Sequence, residues 1–268
     1  MYEKIEEKGL NIYRFLVENS DRNINYIIEC PRTRDCVIID PLDKDSMDKI
    51  INNNDLNPKL VLNTHAHPDH IAYNSYFMDK YKIKLNAHNI CKDLFSQEFD
   101  NIFENDIVKI GDLRIKVLHT PGHCPEHISF IVNNYVFCGD TIFACGVGNV
   151  RFRGNASMLF RTIHHKMKNL PDNLKLLPGH DYLENNLKFL DSIIFDDNDF
   201  ASDIKNFLLD CKSTELSEIK DIGFEKKYNP FFRIDEFSFL DLLKASDKFS
   251  DLNMEERFKL LRDMRDEW

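Results

Sequence analysis

His65, His67, Asp69 and His70 fall within six consecutive residues of the segment NTHAHPDH, directly behind the apolar run LVL. Neutral imidazoles beside a carboxylate form a donor set suited to zinc, iron or manganese. The spacing of two between His65 and His67 lets both rings point to one side at a strand end, after which Asp69 and His70 turn in from the loop. Pro68 and Asp69 also suit the first turn of a helix, so a plainer reading makes these residues loop histidines and a helix cap. A lone histidine would favour the plainer reading. Four metal-capable side chains packed this closely favour a metal site.

One loop does not complete a coordination sphere, so further ligands are expected at other strand ends. LHTPGHCPEHISF offers His119, His123 and His127, CGDTIF offers Asp140, and LLPGHDY offers His180. His123 and His180 each follow a Pro-Gly pair, whose turn lets a side chain project from a strand end. Asp140 follows Gly139 behind an apolar strand, as a carboxylate aimed out of a sheet would. His119 and His127 flank the turn and are read as core histidines or as groups that hold a ligand from behind. His88, His164 and His165 lie in polar or helical contexts and are read as surface histidines.

The elements that must present these residues are short strands. NYIIEC, CVIID, KLVLNTH, IKVLHT, HISFIV, YVFCGDTIF and LKLLPGH are strand-length, rich in β-branched, leucine or aromatic residues, and bounded by Pro, Gly, Asp or Asn. SMDKIINNN and HIAYNSYFMDKYK have the spacing of amphipathic helices. Strands that end in chemically distinctive residues present a site on loops at one edge of a rigid sheet. Beyond about residue 180 the pattern turns helical, in ENNLKFLDSIIF, DFASDIKNFLLDCKSTELSEI and NMEERFKLLRDMRDEW, with KYNPFFR as a proline-punctuated link. This predicts one domain over residues 1–180 and a smaller helical one over residues 181–268.

Composition narrows the class. With 268 residues, 43% hydrophobic and 30% charged, the chain can bury a substantial core and is not a disordered polymer. No apolar run approaches a membrane span, and MYEKIEEKGLNIY lacks the basic start and apolar middle of a secretory signal, so a cytoplasmic protein off the membrane is expected. Seven scattered cysteines without a C-x-x-C pair suggest free thiols rather than a disulfide framework or a thiolate zinc site. A net charge of −10 argues against a nucleic-acid partner. An anionic small substrate would instead need a local basic cluster.

The set THAHPDH, TPGHCPEH, CGDTIF and PGHDY, in this order, resembles the metallo-β-lactamase fold, and its finer text resembles the glyoxalase II (hydroxyacylglutathione hydrolase) branch. GHDYLENNLKF, KYNPFFR and LRDMRDEW extend the resemblance over most of the chain. The resemblance implies an α+β fold, a four-layer αββα sandwich followed by a C-terminal helical, substrate-binding domain. It implies two divalent metal ions, zinc ahead of iron or manganese. His65, His67 and His123 would hold one ion, Asp69, His70 and His180 the other, and Asp140 both. It places Tyr182 and Asn186 near the glutathione backbone and a basic pair in the last helix, here Arg262 and Arg265 in an R-x-x-R variant. Spacing of three puts both arginines on one helical face, and guanidinium groups suit carboxylates. In CGVGNVRFRG the family's usual basic residue is replaced by Asn149, with Arg151 and Arg153 following. Arg151 is carried as the substrate contact with Arg153 as the alternative, and Cys145 is read as a small packing residue.

The implied activity is hydrolysis of an S-2-hydroxyacylglutathione thioester, such as S-lactoylglutathione, by a monomeric enzyme. A metal-bridging hydroxide would be the nucleophile, and Asp69 and Asp140 would serve the chemistry as well as the metals. The alternative within the same fold is a mononuclear iron persulfide dioxygenase using His65, His123 and Asp140. A silent binding module is the alternative from another class, and retention of all seven ligands weighs against it.

Overall fold

A computed structural model describes residues 2–211 and 215–268. The chain divides into two compact units, one of Met1–Thr120, Pro125–Gly139 and Leu177–His180, the other of Pro121–Cys124, Asp140–Leu176 and Asp181–Trp268.

Among the described residues, the first unit carries a seven-stranded sheet whose spatial order follows the chain. Its strands are β1 (Glu3–Glu7), β2 (Leu10–Leu16), β3 (Ile24–Glu29), β4 (Asp35–Ile39), β5 (Asn57–Leu62), β6 (Lys84–His88) and β7 (Asp100–Ile102). The first four pair antiparallel and the last three extend the sheet in parallel. Parallel neighbours need crossovers. These are supplied by α1 (Lys44–Asn53) between β4 and β5, by α2 (Pro68–Ile71) and α3 (Asn74–Tyr81) between β5 and β6, and by a segment with the short 3-10 helix Asn89–Asp93 between β6 and β7. Asp43 caps α1 by accepting from the Ser46 amide at 3.0 Å. Met47, Ile50 and Ile51 then fall on one face and are buried with Tyr13, Ile27, Ile38, Val61 and, from α3, Phe77.

The second sheet contains β8 (Ile107–Ile110), β9 (Leu113–His119), β10 (Ile128–Val132), β11 (Tyr135–Gly139) and the strand Lys175–Pro178, in the order Lys175–Pro178, β11, β10, β9, β8. The other unit holds the short hairpin of Ile142–Phe143 and Gly146–Val147, and then α4 (Ala156–His165), α5 (Leu183–Ile193), α6 (Asp199–Asp210), α7 (Ile222–Tyr228), α8 (Pro230–Arg233), α9 (Phe237–Leu240) and α10 (Met254–Glu267). Among the described residues no helix is long and apolar enough to cross a membrane.

Three expectations are revised. The helix read over HIAYNSYFMDKYK is two helices, because Tyr73 leaves helical geometry and caps α3. KYNPFFR is helical rather than a link: α7 runs to Tyr228, and Asn229 starts α8 by accepting from the Phe231 amide at 3.0 Å, with Pro230 at its first position. The helix expected to continue beyond Asp210 ends there, and its residues 212–214 lie outside the described residues.

Candidate metal centre and anion cavity

Register places the first cluster. Ile39 pairs with Leu62 across the parallel β4–β5 ladder, so Asp40 and the segment Asn63–His65 leave the same sheet edge side by side. Asp40 becomes the organising group there. Its Oδ1 accepts from the Thr64 amide at 2.8 Å, and its Oδ2 accepts from the Thr64 hydroxyl at 2.6 Å and from His70 Nδ1 at 2.9 Å. With the Thr64 proton committed to Asp40, Thr64 Oγ1 is the acceptor for His65 Nδ1 at 2.9 Å. His180 Nδ1 donates to the Asp21 carbonyl at 2.7 Å. These contacts fix the tautomers of His65, His70 and His180, each presenting a lone pair on Nε2.

The inward atoms converge. Asp69 Oδ2 lies 3.6 Å from His70 Nε2 and 3.4 Å from His180 Nε2, and Asn23 Nδ2 donates to it at 2.9 Å. His65 Nε2 and His67 Nδ1 are 3.0 Å apart. Two donors each 2.0–2.1 Å from a tetrahedral ion lie about 3.3 Å from each other. The Asp69, His70 and His180 atoms therefore have the spacing and the chemistry of a divalent-metal site.

His123 and Asp140 belong to the second unit, where His123 Nε2 is 3.5 Å from Asp140 Oδ2. Here too the outer ring nitrogen is held, His123 Nδ1 donating to the Asn149 carbonyl at 2.8 Å. Gly148 makes this approach possible. A Cβ on it would stand 2.0 Å from the Asp140 carbonyl oxygen and 2.9 Å from His123 Nδ1.

The second unit also contains a cavity of about 250 Å³ lined by Phe143, Val147, Asn149, Arg151, Tyr182, Asn186, Arg262, Arg265, Asp266 and Trp268. Three guanidinium groups line this one cavity together with the Asp266 carboxylate, a local basic cluster of the kind an anionic ligand would require in an acidic chain. Arg262 is only 4% exposed and donates to the Val147 carbonyl and to Asp266, each at 2.9 Å. Burial lowers its pKa to about 10, still well above neutrality. Burial also lowers the Arg265 pKa, while its guanidinium lies over the rings of Trp268 and Phe189 and reaches Asn186 Oδ1 at 3.4 Å. Arg151 is more exposed and donates to the Asp266 carbonyl. Arg153 is not among the cavity's lining residues.

Sequence reasoning passed over Asp40, Thr64 and Asn23. The signal for Asp40 was present, an aspartate closing the apolar strand CVIID, but its role depends on which strand lies next to β4. Two histidines expected on the surface are buried. His88 stacks on His119, with ring centroids 4.4 Å apart, and burial first and the His119 charge second lower its pKa to about 4. His164 packs against Phe160 and Phe258, and its Nε2 donates to the Phe231 carbonyl at 3.0 Å. His165 is exposed as expected. His127 is buried beside His65 with its Nδ1 on Thr120 Oγ1, and His119 Nε2 donates to the Pro125 carbonyl.

Comparison with known proteins agrees with this geometry. Residues 23–183 match the family model of the metallo-beta-lactamase superfamily. The crystal structure of ETHE1 from Myxococcus xanthus superposes with a TM-score of 0.66 at 25% identity, covering 92% of this chain and 94% of that one. The fold is thus the metallo-β-lactamase fold, of the α+β class, with a helical C-terminal region. Residues 181–268 match the model of the hydroxyacylglutathione hydrolase C-terminus. The hydroxyacylglutathione hydrolase of Nitrosococcus oceani is 34% identical over 261 residues, 93% of this chain and 97% of that one. That of Polaromonas sp. is 32% identical over 265 residues, 96% and 99% of the two chains. The chain belongs to the hydroxyacylglutathione hydrolase family, the glyoxalase II branch of the superfamily.

Proposed function

We propose that this chain hydrolyses S-2-hydroxyacylglutathione thioesters, such as S-lactoylglutathione, to a hydroxy acid and glutathione. The observation that carries the reading is the presence in one chain of a convergent His/Asp cluster and an arginine-lined cavity. The first suits hydrolytic metal chemistry, and the second suits a substrate with remote carboxylates.

In this proposal His65, His67 and His123 hold one ion, Asp69, His70 and His180 a second, and Asp140 both, with zinc ahead of iron or manganese. Two bound divalent ions would polarise the thioester carbonyl and bring a water's pKa down to about 7. The protein's own part is to keep four of the ligating imidazoles, those of His65, His70, His180 and His123, each in one tautomer, through Thr64, Asp40, Asp21 and Asn149. Asp69, held by Asn23, would keep the second ion in place and steer a proton. The leaving thiolate, with a conjugate-acid pKa of about 8.5, needs little protonation, so no further acid is required. Tyr182 and Asn186 are assigned to the glutathione backbone, and Arg151 and Arg265 to its carboxylates. Arg262 adds its charge from within the wall.

The division into a catalytic domain over 1–180 and a substrate-binding domain over 181–268 is part of this proposal and is supported by the extents of the two family matches. So are a monomeric state, a cytoplasmic location, which seven free thiols favour, and the absence of nucleic-acid partners, which the charge of −10 favours. The iron dioxygenase reading is weaker, because the C-terminal match is to a hydroxyacylglutathione hydrolase and because Asp69, His70 and His180 would have no role in a mononuclear site. Steady-state kinetics of zinc-loaded protein against acyl-glutathione and acyl-coenzyme A thioesters tests the proposal. Preference for the glutathione series is expected, and no turnover of either series would refute it.

A further inference from the structure

One wall of the arginine-lined cavity is the hairpin Phe143–Val147, and its backbone is held by side chains to an unusual degree. Asn186 Nδ2 donates to the Ala144 carbonyl at 3.0 Å, Asn229 Nδ2 to the Gly146 carbonyl at 3.0 Å, and Arg262 Nη1 to the Val147 carbonyl at 2.9 Å. The intervening amide, that of Cys145, donates to Glu225 Oε2 at 3.0 Å. Cys145 has a positive φ of 58°, a conformation that a residue with a side chain adopts only when its surroundings impose it. Glu225 and Asn229 are both fully buried, and Asn229 Nδ2 also donates to Glu225 Oε2 at 2.7 Å. They lie one helical turn apart on α7 and its C-cap and line no part of the cavity, so neither can touch a substrate there.

We propose that Glu225, acting with Asn229, is a positioning residue for substrate recognition: it holds the strained Cys145–Gly146 turn so that Phe143 and Val147 keep the cavity in its binding shape. This rests on the glutathione-thioester reading above. The charge state follows from the contacts. Oε2 receives two donors, whereas Oε1 is buried without a hydrogen-bond partner among the described residues, a site where a proton is retained more easily than a charge. Burial pushes the carboxyl up to about 8. The groups nearest in charge are Asp221 and Lys220 ahead of α7 and the buried Cys145 thiol opposite.

The test combines backbone exchange with kinetics. In Glu225→Ala, amide exchange over residues 143–148 should quicken by about tenfold or more, because a buried bond holding a strained turn is lost. KM for an acyl-glutathione should rise by about tenfold with kcat changed less than about threefold. Asn229→Ala should shift both quantities the same way, and it keeps the inference testable if Glu225→Ala does not fold. Glu225→Gln, neutral and of the same shape, should keep wild-type exchange and KM near neutral pH. Unchanged exchange in folded Glu225→Ala and Asn229→Ala, or faster exchange with wild-type KM, overturns the positioning role. A wild type that cleaves no glutathione thioester fails separately and visibly: it overturns the substrate reading, and with it the recognition role, whatever the exchange data show.

Discussion

Asp40 illustrates how much of a metal site lies behind its ligands. It is not among the expected ligands, yet it fixes His70 directly and His65 through the Thr64 hydroxyl. Replacing it with alanine should lower metal affinity by about 10- to 100-fold, the usual cost of losing a group that orients a ligating histidine, while leaving all ligands in the chain. Metal content after dialysis against graded chelator measures this, and unaltered retention would show that the histidines orient themselves. Asp140→Ala should remove both ions together with activity if it bridges them, whereas His180→Ala should empty one site preferentially. Elemental analysis separates these outcomes, and two retained ions in Asp140→Ala would contradict the bridging role. In the cavity, Arg151→Ala and Arg265→Ala should each raise KM with little change in kcat. Each lost charge-assisted contact costs about 1.5–3 kcal/mol, roughly ten- to hundredfold in kcat/KM. A changed kcat with constant KM would move these arginines from substrate binding to chemistry.

At the scale of elements, α10 carries the arginine pair and is started by a capping box, Asn253 accepting from the Glu255 and Glu256 amides at 3.0 and 3.1 Å while Glu256 accepts from the Asn253 amide. Asn253→Ala should cost about 1 kcal/mol, or about 2–4 °C in Tm for a chain of this size, with a scanning-calorimetry readout. The strands that bear ligands were legible because β-branched runs end in His or Asp. β2 was not. Asn11 and Arg14 interrupt its apolar pattern, and only the fold shows them paired to Glu29 and Glu3 inside the sheet. His88 and His164 were misplaced for the same reason, since burial is set by neighbours distant in sequence. Asn149 and Arg151 stood out as a departure from the family pattern, but their placement in one cavity with Asp266 is a product of tertiary structure.

For the whole molecule, a net charge of −10 would repel an anionic thioester at long range, so the proposed binding would draw on the local field of Arg151, Arg262 and Arg265. The pH dependence of stability gives an independent check on the interior. Glu225 has its pKa raised from the ordinary 4.5 to about 8 by burial. Below the ordinary value the folded and unfolded chains both hold the proton. Between the two values only the folded chain holds it, so stability falls as pH rises, and above about 8 the loss is complete. The difference in unfolding free energy between wild type and Glu225→Gln should therefore move against wild type from about pH 5 to about pH 8 and then level off. A flat difference would mean that the carboxyl is ionised throughout. The central claim is tested most directly by comparing kcat/KM of the zinc-loaded enzyme for S-lactoylglutathione with that for a lactoyl thioester whose thiol lacks glutathione's carboxylates, in wild type and in Arg151→Ala/Arg265→Ala. A preference for the glutathione thioester of about a hundredfold or more in wild type, largely abolished in the variant that keeps both metals, is the predicted result. Equal rates on the two thioesters in wild type would contradict it.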